Sequence, residues 1–254
     1  MQLIDWIAIL GALAWMPHLI GAFKNLLLTS KIRIVTQKSV EIGFTSLGSI
    51  FNLRIAFAVE NKDIVISEIK VRIKHDSGEE RVLEWQGITQ QLGTMKIPNA
   101  GDMPYEKIHS VLAIKLNQKD IEERFIQFQE PTHLASQIEY VNKANKKMAY
   151  LKAEGKYDPV KFLREQEMTD LYIFAKHAFP WKQGKYTVTI EMQSPERFSL
   201  VGNQRQFSLT SADIEKLEKN KDQLELDYRR IVVGMNEEDA TAVWQWCNPV
   251  LTVC

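Results

Sequence analysis

Apolar and polar positions divide the chain into two unequal parts. From Trp6 to Phe23 there is no Asp, Glu, Lys or Arg, and the run Trp6 to Met16 is apolar on every helical face. A helix lying on a surface needs a polar side, so this pattern predicts an immersed helix. At about 1.5 Å per residue, the stretch between Asp5 and Lys24 reaches roughly 27 Å, close to the thickness of a thin hydrocarbon core. Lys24 can snorkel, and Leu26 to Leu28 can extend the span. Leu3 to Leu28 is therefore expected to be a single transmembrane anchor contacting lipid. Two rival readings are a cleaved signal peptide and a buried core helix. The start lacks basic residues and no small-residue cleavage site follows, against the first. Pro17 and His18 favour the second, although membrane helices tolerate a proline kink.

After Thr29 the period changes from helical to two. Val40, Ile42 and Phe44 alternate with Glu41 and Gly43. Leu53, Ile55, Phe57 and Val59 share one side, and Ile69, Val71 and Ile73 alternate with Lys70, Arg72 and Lys74 up to a turn at Asp76-Ser77-Gly78. The acids Glu79, Glu80 and Glu84 follow, which predicts a hairpin with cross-strand ion pairs on its solvent face. Residues 86–104, with Gly87, Gly93, Pro98, Gly101 and Pro104, read as irregular connection. Strands are expected again around Ile108 to Leu116 and Arg124 to Gln129.

Pro131 marks a change to helical spacing. Leu134, Ile138, Val141, Met148 and Leu151 form one stripe, with Lys143, Lys146 and Lys147 elsewhere on the surface. A second helix begins at Asp158-Pro159, cap followed by first-turn proline, and runs to Phe179-Pro180. Together they predict a helix pair inserted at about residues 132–178 between strands. Tyr186, Val188, Ile190 and Met192 then alternate with Lys185, Thr187, Thr189 and Glu191. Another hairpin turns at Gly202-Asn203, Thr210 with Asp213 signals a capped helix, and Trp244-Gln245-Trp246 reads as a closing strand whose two tryptophans form a buried pair.

From about Val40 to Leu209 the body resembles an immunoglobulin-like sandwich. It has alternating strands and a Gly184-x-Tyr186 start to a late strand, like the tyrosine corner of such domains. The resemblance implies a fold class and no function. The cysteine and tryptophan pattern of true immunoglobulin domains is absent, and the helical insertion departs from their layout. The expected architecture is thus mainly β: residues 1–30 an anchor, residues 31–254 an immunoglobulin-like antiparallel β-sandwich with the helical insertion, a C-terminal helix and a tail.

Charge sets the orientation. Lys24, Lys31, Arg33 and Lys38 precede the first acid on that side of the span, Glu41, so the body is expected in the cytoplasm and the amino terminus outside. Basic and acidic residues balance at 32 each, and no Arg-rich stripe with interleaved aromatics occurs, so a nucleic-acid partner is not expected. The two cysteines, Cys247 and Cys254, lie in the last eight residues and make no secreted-type disulfide framework.

Chemistry-bearing motifs are scarce. The five histidines are scattered with no zinc spacing, and no phosphate loop or nucleophile elbow is present, so neither metal nor cofactor is expected. His75-Asp76-Ser77 holds the residue types of a triad, but adjacent turn positions are not expected to place them in relay. These observations lead to a membrane-tethered recognition or adaptor module that holds a protein partner at the inner leaflet, with Lys143, Lys146 and Lys147 as candidate partner-binding residues. The alternatives are a membrane-perturbing effector whose anchor self-associates through Ala8-x-x-x-Ala12, and an enzyme without a recognisable motif.

Overall fold

The computed structural model describes residues 15–16, 21, 28–97, 101–109, 112–234 and 242–254, with residues 88–97 and 101–109 in backbone only. The expected anchor, Leu3 to Leu28, lies outside the described residues except at positions 15, 16, 21 and 28; among the described residues no helix is long and apolar enough to cross a membrane.

The chain is mainly β. In order it forms β1 (Ser30–Thr36), β2 (Glu41–Thr45), β3 (Gly48–Glu60), β4 (Ile64–Ile66), β5 (Glu68–His75), β6 (Glu80–Ile97), β7 (Gly101–His109), β8 (Ile114–Leu116) and β9 (Ile121–Gln129). The helices α1 (Pro131–Ala153), α2 (Pro159–Phe162) and α3 (Gln166–His177) follow. Then come β10 (Gly184–Gln193), β11 (Phe198–Val201), β12 (Gln204–Leu209), α4 (Ser211–Glu218), α5 (Asn220–Tyr228), a π-turn over Arg229–Val233, and β13 (Thr252–Val253).

Eleven strands join in one sheet along the path β11, β1, β3, β9, β6, β5, β10, β12, β13, with β2 beside β3 and β7 beside β6, while β4 and β8 pair apart. Only β1 with β11 is parallel among the pairings described. The mainly β expectation holds. The two-sheet immunoglobulin-like layering is not borne out: among the described residues eleven strands make one curled sheet, with β4 and β8 as a separate pair.

Its two far sides are joined by the C-terminal segment. Cys247 N–H donates to Ile42 O at 2.9 Å, Ile42 N–H to Cys247 O at 2.8 Å, Val40 N–H to Pro249 O at 3.1 Å and Leu251 N–H to Lys38 O at 2.8 Å, while Thr252 and Val253 pair with Gln206 and Arg205 on β12. The tail is thus a stave between β2 and β12. The closing segment lies beyond the tryptophans rather than on them. Trp246 instead lays its ring on Gly43, where an added Cβ would come within 2.3 Å of the ring, and Trp181 Nε1–H donates to Gly43 O at 3.0 Å. Only glycine fits between the two indoles at this position.

Alternation places the core as the sequence indicates. Ile69, Val71 and Ile73 are buried, and opposite them Lys70 bonds Glu84 at 2.9 Å while Arg72 bonds Glu191 at 2.6 Å and also Glu80. Such exposed cross-strand pairs contribute roughly 0.2–1 kcal/mol each. Tyr186 forms the local corner its Gly-x-Tyr spacing suggested: its hydroxyl donates to Lys182 O and accepts from Lys182 N–H, both at 2.8 Å. Asp158 caps α2 through the amides of Val160 and Lys161, at 2.9 and 3.2 Å, and Thr210 with Asp213 makes a reciprocal capping box on α4.

Residues 86–97 and 101–104 are strand and not the expected irregular connection, and residues 98–100 lie outside the described residues. β6 continues to Ile97 and returns as β7, and the glycines that look like breakers, Gly87 and Gly93, stand where the register shifts. Bulges accommodate glycine without ending a strand.

The sheet has two distinct ends. β1 begins at Ser30, tied to the end of β3 by Asn61 Nδ2–H to Thr29 O at 2.8 Å and Ser30 Oγ–H to Lys62 O at 3.1 Å. α1 begins after Gln129, which pairs with Ile50 at the opposite end of β3. At about 3.3 Å per residue, Ile50 and Glu60 are roughly 33 Å apart, so the helices sit far along the sheet from the start of β1.

Candidate functional site

The helical end carries an open groove. On α1, Tyr140 and Lys143 are three apart; on α3, Asp170, Ile173, Phe174, His177 and Ala178 follow helical spacing, so each set shares one side of its helix. Between them opens a groove of about 610 Å³ lined by these residues. Its floor is an aromatic stack in which the Phe174 ring lies 4.7 Å from Tyr140 and 5.1 Å from His133, both nearly parallel. Ile173 in its wall is 51% exposed and Ile138 on the neighbouring turn of α1 is 60% exposed, so apolar surface remains uncovered here.

The three lysines singled out from the sequence do not act as one patch. Lys143 lines the groove, with its ammonium 5.2 Å from the Tyr140 ring centre and 2.7 Å from Glu139, whose carboxylate raises the lysine's pKa. Lys147 turns to Glu165 at 3.2 Å and Lys146 is exposed. Ile173, Phe174 and His177 were missed as site residues because Phe174 belongs to the same stripe as the packed Leu171 and Ala178. The available signal was Ile173, which falls one position off that stripe.

A buried polar joint fixes the helices to the sheet. At the β2–β3 turn, the Ser46 hydroxyl donates to the Asp227 carboxylate, whose other oxygen accepts from Arg230 at 2.8 Å. The Tyr228 hydroxyl donates to Ser46 O at 3.1 Å and accepts from Gln137 Nε2 at 3.3 Å. Burial pushes the Tyr228 phenol up to about 12. His133 packs over Gly48, whose positive φ of 82° and close approach to the ring both exclude a Cβ. Burial lowers the His133 pKa against the opposing pull of its hydrogen bond to the Ser46 backbone.

His75, Asp76 and Ser77 do meet, contrary to expectation. Ser77 Oγ lies 2.8 Å from His75 Nδ1, and Asp76 Oδ1 lies 3.1 Å from Nε2. The surroundings make this a turn staple. Nδ1 also accepts the Ser77 amide at 3.2 Å, Nε2 shares its proton with Gln183 O at 3.2 Å, and Asp76 Oδ2 accepts from the Lys185 amide at 3.0 Å. The adjoining cavity, about 20 Å³ and lined in part by Ser49, Trp181 and Tyr186, has room for one water and not for a substrate. Among the described residues no three His, Cys, Asp or Glu side chains converge as metal ligands.

No family model matches this chain, and comparison with curated proteins and with solved structures finds no match to either.

Proposed function

We propose that the protein is a single-pass membrane-anchored recognition module whose cytoplasmic body offers the α1–α3 groove to a protein partner. The observation that carries this reading is the opposition of the two ends: the chain leaving the apolar segment Leu3 to Leu28 reaches the sheet at Ser30, and the groove lies at the other end of β3. Supporting it, Trp15, Met16 and Gly21 within the segment are helical, with Trp15 67% and Met16 48% exposed, unlike residues of a buried core helix. The basic flank of Lys24, Lys31, Arg33 and Lys38 favours a cytoplasmic body.

The groove suits an amphipathic helix. Tyr140, Ile173 and Phe174 offer apolar contact, while Lys143 on one wall and Asp170 on the other select a segment with an acidic and a basic residue on opposite flanks. Anchoring raises the effective concentration of that partner at the membrane. The test is cross-linking of the full chain in its native membrane, with Ile173→Glu and Lys143→Glu compared against wild type. Partners captured by wild type should be lost from both variants. Equal capture removes the groove from the reading, toxicity that depends on the anchor alone favours the membrane-perturbing effector, and turnover of a small molecule favours an enzyme.

A further inference from the structure

Strand register singles out one more surface, on the outer side of the sheet. Ile32 and Ile34 of β1 and Ile55, Phe57 and Val59 of β3 are buried in the core, so Arg33 and Val35 with Ala56 and Ala58 stand on the opposite side. Pairing lays these residues in rows. Val201, Arg33, Ala58 and Ile121 form one row, Val35, Ala56 and Glu123 the next, and Lys31 with Glu60 lies on the other side of the first. Val35 is 54% exposed, Val201 42% and Ile121 75%, so this apolar strip lies open.

Size and charge vary across the strip in a regular way. With no side chain beyond Cβ, Ala56 and Ala58 leave a shallow hollow at its middle, while Val201 and Ile121 stand on its shoulders, where a curled sheet falls away. At the Ser30 end of the strip Glu60 on β3 bonds Lys31 at 3.1 Å and Arg33 at 3.2 Å on β1, and at the other end Arg54 on β3 bonds Glu123 on β9 at 3.1 Å. Bases on β1 thus face an acid on β3 across the line between the two strands.

Such a surface is complementary to itself. A two-fold axis running along the strands between β1 and β3 sets each residue of β1 over the same level of β3 in a second copy. Val35 then enters the hollow at Ala56 of that copy, Arg33 passes over its Ala58, Val201 meets its Ile121 at the shoulders, and Lys31 stands over its Glu60. Large side chains meet small ones, apolar meets apolar, and base meets acid.

We infer that the outer face of β11, β1, β3 and β9 is where two copies of this chain pair through their bodies. The inference rests on the reading of Leu3 to Leu28 as a membrane anchor. The axis runs from the Ser30 end of the sheet to the helical end, so it stands along the bilayer normal and lets both anchors insert in the same direction. Four strands by five residues cover roughly 19 by 16 Å. That footprint is well under the roughly 800 Å² that each partner gives to a stable complex, so pairing is weak in solution and depends on the high local concentration of anchored copies. The pair carries two α1–α3 grooves at its far end, which suits a partner with two binding segments.

The test uses the full chain labelled at the exposed Cys254 with donor or acceptor fluorophores, buried Cys247 staying unlabelled, in phosphatidylcholine vesicles at a high ratio of lipid to protein. Wild type should show energy transfer, and Lys31→Glu, Glu60→Lys and Ala56→Lys, each checked for native circular dichroism, should lower it severalfold. Mixing Lys31→Glu donors with Glu60→Lys acceptors should restore transfer, because opposite charges then meet across the axis, whereas each variant still lacks its own same-chain pair. Transfer that all three variants keep overturns the inference and assigns association to the anchors. A mixture that does not recover, or a wild type without transfer, overturns it as well and leaves the strip to a different protein. Flotation separates the two levels of failure. A chain that does not float with the vesicles sinks the anchor reading and this one with it, whereas a floating chain without charge-specific transfer sinks the pairing alone.

Discussion

Phe51 on β3 and Phe207 on β12 bring their ring centroids to 6.1 Å, although β9, β6, β5 and β10 lie between the two strands along the sheet. Both rings are buried, Phe51 lies 6.4 Å from Phe128, and Phe207 stacks on Tyr186 at 4.8 Å. Contact between such distant strands requires the sheet to curl until its inner side closes on itself. The core is therefore made by one face meeting itself, and the aromatic line Phe128, Phe51, Phe207, Tyr186 crosses it. Replacing Phe207 or Phe51 by Ala is expected to cost about 3–5 kcal/mol, read from denaturant midpoints. Because the rings touch, the double variant should depart from additivity by about 0.5–3 kcal/mol; additive losses would contradict a shared core.

The tail supplies the next expectation. Leu251 is buried and its amide bonds Lys38 O, so Leu251→Ala removes packing at the seam between β2 and β12. A loss of about 2–5 kcal/mol is expected. Hydrogen exchange should accelerate first at Val40 and Ile42, whose amides bond Pro249 and Cys247. Unchanged protection at those two amides would show that the sheet stays curled without the tail.

What the sequence reveals and what it hides divide along physical lines. Local rules are legible: the Asp158 cap, the Thr210 and Asp213 box, the Tyr186 corner and the hairpin ion pairs of Lys70 with Glu84 and Arg72 with Glu80 each depend on residues a few positions apart or facing each other, directly or diagonally, across one hairpin. Period-two runs show that one side of each strand is buried, but a sandwich and a curled sheet bury one side equally. What decides between them is backbone pairing of residues 247–251 with 38–42, in a segment whose Asn248 and Pro249 carry no alternation. The β6–β7 pairing hides for a related reason. Gly87 and Gly93 take up register shifts, and Pro104 lies on β7, whose described pairing is with β6 alone, so residues that usually interrupt a strand are accommodated. Of the candidate site, Lys143 was legible as a charged surface residue. The groove was not, since it depends on how α1 and α3 meet.

Alkaline pH should weaken the fold through two buried acids. Burial pushes Tyr228 up to about 12 and Cys247 up to about 11. Each folded value stands above the unfolded one, about 10 for tyrosine and about 8.5 for cysteine, so the unfolded chain loses these protons first. Their stabilisation is whole below the unfolded values and is lost as pH rises through the folded ones. Denaturant midpoints should fall from about pH 9 toward 12. Tyr228→Phe costs about 1–3 kcal/mol near neutrality, since Ser46 O and Gln137 lose a partner, and its difference from wild type should shrink above about pH 10. A constant difference across that range would exclude Tyr228 as a titrating contributor.

On the acid side, His133 links stability to the groove. Its ring stacks on Phe174, and burial lowers its pKa, with the Ser46 hydrogen bond and Glu130 acting the other way and Arg81 reinforcing it. A folded value below the ordinary 6.5 means that the unfolded chain takes up the proton first. The stabilisation is therefore whole above the ordinary value and is lost as pH falls below it. Charging this ring disturbs Phe174, which also carries Tyr140 and the apolar wall of the groove, so partner capture should weaken over the same window. His133→Phe keeps an aromatic ring in the stack and removes the titration. Between about pH 7.5 and 5 the wild type should lose more stability and more partner capture than this variant. Parallel losses in the two proteins would assign the acid sensitivity to other groups and leave the stack as packing alone.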